Sequence, residues 1–262
     1  MSKGALLLAT PHDEIDYIGF AKLAAKLIQK YLGIDTHIYV GEKKEGNVRT
    51  FRWHDQSVQT VPWYNADRTL AYDISPYDQT LLIDVDYLTF NDSLLDYFDK
   101  DFELLCYNKV FDVTNTNSFY NDMFMTKAHF PMRWATVVYF RKCSLAHEIF
   151  EKMKEVQTNW KYYADLFGFS AGKYRNDFSL SIAHQLQAGY TDKCNIFNHA
   201  LPSISTTDEI YKIDDGNLYI RYHIKDTYNA IRIKNTNVHC MNKACLQDPE
   251  IYGALNAYAT KG

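Results

Sequence analysis

The sequence is poor in the short patterns that announce a cofactor. Its five cysteines, Cys106, Cys143, Cys194, Cys240 and Cys245, are odd in number and scattered, with no Cys-x-x-Cys pair. A disulfide framework and a finger-like zinc site both need closer, paired spacing, so the thiols are expected to be reduced and structural, the pair beside His239 included. The 11 glycines form neither Gly-x-Gly-x-x-Gly nor Gly-x-x-x-x-Gly-Lys-[Ser/Thr], which disfavours an NAD-binding fold and a P-loop enzyme. Long apolar runs are missing too. Gly4–Ala9 follows a single lysine and is too short for a secretory core or a membrane span. The expectation is a soluble, cytoplasmic protein without a membrane anchor. No lysine and arginine block accompanies the net charge of −4, which excludes a simple electrostatic coat for DNA while leaving room for a local basic groove. Repeats, low-complexity tracts and linkers are also lacking, so residues 1–262 are taken as one domain.

What is present is a chain of 262 residues, 47% apolar and 15% aromatic, able to bury a sizeable core. Gly4–Ala9 reads as a strand buried on both faces, ending in the turn-prone Thr10-Pro11-His12-Asp13. From Asp16, residues Phe20, Leu23, Ala24, Leu27, Ile28 and Tyr31 recur at helical spacing, with Gly33 placed for a left-handed C-cap. Thr36–Val40 reads as a second strand. A strand, helix, strand opening with a right-handed crossover implies an α/β protein with a parallel sheet. Residues 41–79 carry polar turns and scattered aromatics without a clean period and are expected to hold irregular structure and short elements. Val137–Phe140 is a further strand candidate. Ser144 is placed to cap a helix carrying Leu145, Ile149, Met153 and Val156, and Asn176 or Asp177 one carrying Phe178, Ile182 and Leu186. Asp248-Pro249 is the start signal of a last helix.

The segment that carries chemistry is Thr80-Leu-Leu-Ile-Asp-Val-Asp86. On a strand, residues i and i+2 share a face with Cα atoms roughly 7 Å apart, so Asp84 and Asp86 can approach one ion while Val85 turns back to the core. Paired carboxylates suit a hard divalent cation, Mg²⁺ or Mn²⁺, which commonly bridges protein acids to a diphosphate. An Asp-x-Asp tripeptide also arises where two acids merely end a strand. The apolar Leu81-Leu82-Ile83 before it favours the metal, because buried strands rarely stop in unpartnered acids.

Pro76–Leu88 resembles the Asp-x-Asp segment of the GT-A-fold glycosyltransferases, the nucleotide-diphospho-sugar transferase superfamily. Ala5–Val40, with Tyr17 opening the helix, is similar to that family's first strand, helix and strand. Trp134–Lys142 resembles its later strand past the sugar site, and Val238–Lys243 the late His...Lys element of glycogenin-like members. The resemblance spans most of the chain in the family's order. It implies a GT-A fold, a mostly parallel central sheet flanked by helices, and transfer of a sugar from a nucleotide-diphosphate donor, a UDP-sugar first among them, with Mn²⁺ or Mg²⁺. It further implies that Asp86 is the most direct metal ligand, that Asp84 touches the metal or the nucleotide ribose, that His239 completes the coordination and that Lys243 faces the diphosphate. Met241-Asn242 between His239 and Lys243 departs from the glycogenin element, which has a glycine and Pro-Trp there. Arg68 upstream of the strand is placed to approach the nucleotide, and Asp177 to orient a hydroxyl or act as general base. Asp177 in a helix cap and Arg175 in a surface ion pair are the plainer readings of those two residues.

Several rivals are weighed by the same residues. A sugar-nucleotide synthase wants a glycine-rich loop where Ala5–Pro11 stands, and Asp84 and Asp86 on one strand face are a poor glycosidase pair. A non-catalytic GT-A-like binding module is disfavoured by retention of Asp84, Asp86 and His239. The acceptor is open between a saccharide, a protein and, by resemblance to transferases of T4-like phages, hydroxymethylated cytosine in DNA. The late element leans towards the retaining group, and the oligomeric state is unassigned.

Overall fold

The computed structural model describes the chain apart from residues 43, 53–54, 64–65, 117–123, 126–129, 170–171, 173, 190–194 and 262. Trp53, Tyr64 and Cys194 therefore lie outside the described residues.

The opening follows the reading of its pattern. Strand β1 (Lys3–Ala9) is buried from Gly4 onward, and helix α1 (Tyr17–Leu32) starts at Asp16, whose side chain accepts from the Gly19 N–H. Gly33 closes α1 at φ 62°, its N–H on the Gln29 carbonyl, a conformation a Cβ would disfavour. Strand β2 (Asp35–Val40) then runs parallel to β1. The next stretch is more regular than the expected irregular structure and short elements. Strands β3 (Lys44–Arg52) and β4 (Asp55–Trp63) pair antiparallel along their full length. Pairing satisfies the backbone groups on their facing edges, and in the sequence only Val48 with Thr50 and Val58 with Thr60 betray a two-residue repeat.

A 3₁₀ turn (Ala66–Leu70) and helix α2 (Ala71–Ile74) lead into β5 (Gln79–Ile83), all of it buried, and β6 (Tyr87–Leu88). After a second 3₁₀ turn (Ser93–Tyr97) come β7 (Leu104–Tyr107), β8 (Val110–Asp112), the short pair β9 (Phe124–Met125) and β10 (Phe130–Pro131), and β11 (Trp134–Arg141). Helices α3 (Ser144–Thr158), α4 (Trp160–Phe167) and α5 (Asn176–Gln187) follow. Their caps differ from the expectation: Cys143 and Arg175 hold the N-cap positions of α3 and α5, without a side-chain bond. Asp177 falls inside the first turn because its carboxylate is engaged elsewhere. The chain ends with β12 (Leu201–Ile204), β13 (Glu209–Asp214), β14 (Asn217–Ile224), β15 (Thr227–Lys234), β16 (Val238–Cys240), α6 (Lys243–Gln247) and α7 (Pro249–Thr260). Asp248 caps α7 through the N–H groups of Glu250 and Ile251.

The fold is α/β with a mostly parallel central sheet in the order β2-β1-β5-β11-β7. β2, β1 and β5 are mutually parallel, and β11 is antiparallel to both its neighbours. Successive residues feed opposite cores: Ala5, Leu7, Leu81, Ile83, Val137 and Tyr139 pack with α1 residues on one face, Leu6, Leu8, Leu82, Val138 and Phe140 with α3 and α5 residues on the other. Such two-sided burial is why these strands read as unbroken apolar runs. A smaller sheet, β6-β16-β12-β8, and a meander, β13-β14-β15, complete the described strands outside the short pairs. Among the described residues no helix is long and apolar enough to cross a membrane.

Beneath the meander, buried Asp112 and Asp208 share the Thr114 hydroxyl, which lies 3.0 and 2.8 Å from them. One hydroxyl has one proton to donate. Burial, with Asp112 adding to it, raises the Asp208 carboxyl above its ordinary range. A carboxyl whose pKa is raised on folding contributes stability below its unfolded value, about 3.9, and loses it as pH rises through the folded value. Asp208→Asn is therefore expected to match wild type below about pH 4 and to be the more stable protein at neutral pH. Urea denaturation across that range checks it, and a variant equally or less stable at pH 7 refutes it.

Candidate metal and donor site

The site is built at the carboxyl end of β5, beside that of β1. The chain leaves these adjacent strands towards opposite edges of the sheet, the place where open α/β sheets bind ligands. Strand pairing stops at Ile83, so the two acids do not lie on a strand face as expected. The Asp84 N–H donates to the Thr136 carbonyl at 2.8 Å and the Tyr87 N–H to the Asp84 carbonyl at 3.0 Å, which bends residues 84–87 into a turn. Val85 still packs into the core, 5% exposed.

A third group arrives from the smaller sheet. β16 pairs antiparallel with β6 in a register that sets His239 opposite Tyr87, and the Cys240 N–H donates to the Asp86 carbonyl at 2.9 Å. The result is a cluster in which ligand atoms of Asp84, Asp86 and His239 all lie within 4.8 Å of one another. Two carboxylates and an imidazole fit Mn²⁺ or Mg²⁺, with the nitrogen favouring the softer of the two.

Cations already crowd this cluster. Lys243, the first residue of α6, places Nζ 2.5 Å from Asp86 Oδ2, while His239 Nε2 stands 3.5 Å from Asp86 Oδ1. Burial alone would push the Asp86 carboxyl up, but Lys243 and His239 outweigh it and hold it well below the usual carboxylate range. Burial likewise works against the Lys243 ammonium, and Asp86 reverses it, raising its pKa. Asp84 goes the other way: burial and the Asp86 charge raise it against the opposing pull of Arg68. The two adjacent acids split because burial wins over Arg68 at Asp84 and loses to Lys243 and His239 at Asp86.

Arg68, from the 3₁₀ turn before α2, is 2% exposed. It does not approach open space for a nucleotide. Its Nη1 donates to Asp84 Oδ1 at 2.7 Å and its Nη2 to the Ala135 carbonyl, while Nε, also buried, has no hydrogen-bond partner among the described residues. Ala135 is free to serve because the β7–β11 register shifts between Trp134 and Val138, a bulge that takes its backbone groups out of the ladder. The Ala135 N–H in turn donates to Asp177 Oδ1 at 2.8 Å, and Arg175 Nη2 to Asp177 Oδ2 at 2.6 Å. The Arg175 guanidinium, 40% exposed, also stands over the rings of Trp134 and Phe178.

All the residues singled out from the sequence, Asp84, Asp86, His239, Lys243, Arg68 and Asp177, thus belong to one connected set. Two members went unread. Ala135 contributes backbone alone, for which no side-chain pattern exists. Ser203, 1% exposed and with no partner for its hydroxyl among the described residues, sits beside His239 in the β12–β16 register; a serine between apolar neighbours in Leu201–Ile204 was the available sign. A cavity of about 310 Å³ opens off the end of β1, lined by His12, Asp13, Tyr17 and Gln247 among others.

No family model matches the sequence, and no curated protein matches it. Several solved structures do resemble this fold. The glycosyltransferase GlyE of Streptococcus pneumoniae TIGR4 shares 13% identity over 76% of this chain with a TM-score of 0.41, and the chain covers only 46% of GlyE. The galactosyltransferase LgtC, solved with donor and acceptor sugar analogues, shares 15% over 74% of this chain and 73% of its own, TM-score 0.43. A Drosophila β1,4-galactosyltransferase 7 mutant, solved with manganese, UDP-Gal and xylobiose, shares 17% over 76% and 78%, TM-score 0.33. A functional reading of this chain therefore stands on Asp84, Asp86, His239 and the groups around them.

Proposed function

We propose that the protein is a metal-dependent GT-A-type glycosyltransferase, moving a sugar from a nucleoside-diphosphate sugar, UDP-linked, to an acceptor hydroxyl. The observation that carries this reading is the convergence of Asp84, Asp86 and His239 at the end of a sheet strand with Lys243 against them. Those three side chains would hold Mn²⁺ or Mg²⁺. The cation supplies positive charge for the nucleoside diphosphate as it departs, the step that leaving-group stabilisation accelerates most. Lys243 provides a second, permanent charge at the same place. Arg68 keeps Asp84 aimed and ionisable, and the Ala135 bulge holds Asp177 in line with it. Asp177, whose Oδ2 is held among the described residues by the half-exposed Arg175, is the carboxylate assigned to orient a donor or acceptor hydroxyl by exchanging that bond.

The acceptor assigned is a hydroxymethylated cytosine in DNA, following the phage resemblance, with a host-cytoplasmic location implied. DNA binding then weakens steeply with salt; salt-insensitive transfer to a small saccharide would move the protein to surface-polysaccharide synthesis. The reaction class is tested by calorimetric titration of UDP, GDP and CMP with and without Mn²⁺. Metal-dependent binding of one nucleotide, followed by slow hydrolysis of its sugar conjugate, is the expected result. Absence of binding in every combination overturns the reading, and binding without any turnover leaves a sugar-nucleotide-binding module.

A further inference from the structure

We propose that Cys240 and Cys245 are a redox-active dithiol whose oxidation to a disulfide weakens donor binding. Cys240 ends β16 directly after His239, and Cys245 lies two residues beyond Lys243 in α6. Their Sγ atoms are 3.6 Å apart, and both thiols donate to the same acceptor, the Asn242 carbonyl, at 3.4 and 3.1 Å. A disulfide needs about 2.05 Å between the sulfurs, so closure asks for an approach of about 1.5 Å from the 3.6 Å observed, borne by two side chains and the short loop between them. Cys240 is fully enclosed, whereas Cys245 lines a cavity of about 560 Å³ together with Asn242, Ala244, Tyr211 and Arg221. That cavity is the route of entry.

The reaction is exchange with a low-molecular-weight disulfide such as glutathione disulfide. The Cys245 thiolate attacks one sulfur of the reagent, expels a thiolate and forms a mixed disulfide; the Cys240 thiolate then attacks Cys245 Sγ and expels the second. One protein S–S bond forms, the reagent's S–S bond is reduced to two thiols, and the two cysteine protons go to them. The ring so closed contains Lys243, and it begins at the residue whose N–H holds the Asp86 carbonyl at 2.9 Å. It also removes both thiol donors from Asn242, whose side chain caps the Cys245 N–H at 3.2 Å and donates to the Asp208 carbonyl at 2.9 Å. Oxidation therefore pulls on the backbone of both Asp86 and Lys243. The effect on donor binding rests on the glycosyltransferase reading; formation of the disulfide does not.

The test treats the full chain with glutathione disulfide, removes the reagent, alkylates free thiols and maps the peptides by mass. The expected result is a segment holding both cysteines that is two hydrogens lighter and resists alkylation, with the circular dichroism spectrum unchanged. Calorimetry of the oxidised protein should show nucleotide binding with Mn²⁺ about tenfold weaker, within the usual span of conformational coupling, and restored by dithiothreitol. Cys245→Ser, or Cys240→Ala if that variant folds poorly, should bind as the reduced wild type does and ignore the oxidant. Two alkylated thiols after treatment, or a mixed disulfide that never closes, overturns the dithiol. A closed ring with binding changed less than about twofold overturns its effect. If reduced wild type binds no nucleotide, the donor reading fails while the peptide map still decides the dithiol.

Discussion

Asp86→Asn is expected to abolish metal-dependent nucleotide binding and to lower transfer by about 10³-fold or more. Removal of one preorganised charge-stabilising donor from an active site already costs about 10²–10³-fold, and Asp86 is the member of the cluster that both Lys243 and His239 face. Asparagine keeps the shape and one acceptor oxygen but takes away the negative charge that draws the cation. The change takes from the Lys243 ammonium its nearest counter-ion and leaves the more distant Asp84. Breaking a buried pair typically costs about 3–5 kcal/mol; with Lys243 28% exposed and able to reach water, the loss in stability falls below that range. Calorimetry with Mn²⁺ and initial-rate measurements read the first effect, urea denaturation the second. Asp84→Asn provides the contrast, since Arg68 remains to satisfy its amide oxygen, and should weaken binding less. An Asp86→Asn protein that binds metal and nucleotide as wild type does would sink the assignment of the metal site.

Arg68→Ala is expected to be the most destabilising single substitution at the site. The guanidinium is buried and spans Asp84 and the Ala135 carbonyl, and of these partners Asp84, 24% exposed, is the one that can reach water. Truncation leaves Asp84 beside Asp86 without its ion pair and the Ala135 carbonyl without its donor, at a cost near the lower end of the usual range of about 3–5 kcal/mol out of a typical total of about 5–15. In a chain of this size each kcal/mol shifts Tm by about 2–4 °C, so a fall on the order of 10 °C is the expected observation. Arg68→Lys retains the charge but not the two-pronged geometry; it should fold, with metal-dependent binding reduced about 10–100-fold, the usual penalty for losing the group that aims a ligand. Saturating Mn²⁺ should recover part of the stability lost in Arg68→Ala, because the cation gives Asp84 a counter-charge again. A loss below about 1 kcal/mol in Arg68→Ala would show that Asp84 does not depend on it.

The parts of this architecture legible in the sequence are those whose own period decides them. β1, α1 and β5 carry continuous or helical apolar patterns because each meets a core on a full face, and Asp16, Gly33 and Asp248 mark helix ends through local chemistry alone. The β3–β4 hairpin is quiet in the sequence because its strands carry only a short two-residue repeat. The meander was equally quiet, although its turns at Asp215-Gly216 (φ 46° and 73°) and at Lys225 (φ 55°) use the positive-φ residues that tight hairpins require. At the site, Asp84, Asp86, His239 and Lys243 were legible as residue types. Their geometry was not, since the acids sit in a turn whose shape depends on Thr136 of another strand. The partner of Arg68 was hidden for the same reason: it is created by a bulge in β11, and a register shift leaves no mark in composition.

His239 reaches Asp86 from a strand more than 150 positions later in the chain. Contacts of such long sequence separation form late, because the loop-closing entropy has to be met before they return anything. During synthesis the two acids and Arg68 emerge before His239 and Lys243 exist. The half-made site, two carboxylates against one guanidinium, carries net negative charge on an otherwise folding sheet, and its completion coincides with docking of β16 against β6. Metal affinity is thus a reporter of the finished topology, and a bound cation should slow unfolding far more than it speeds folding.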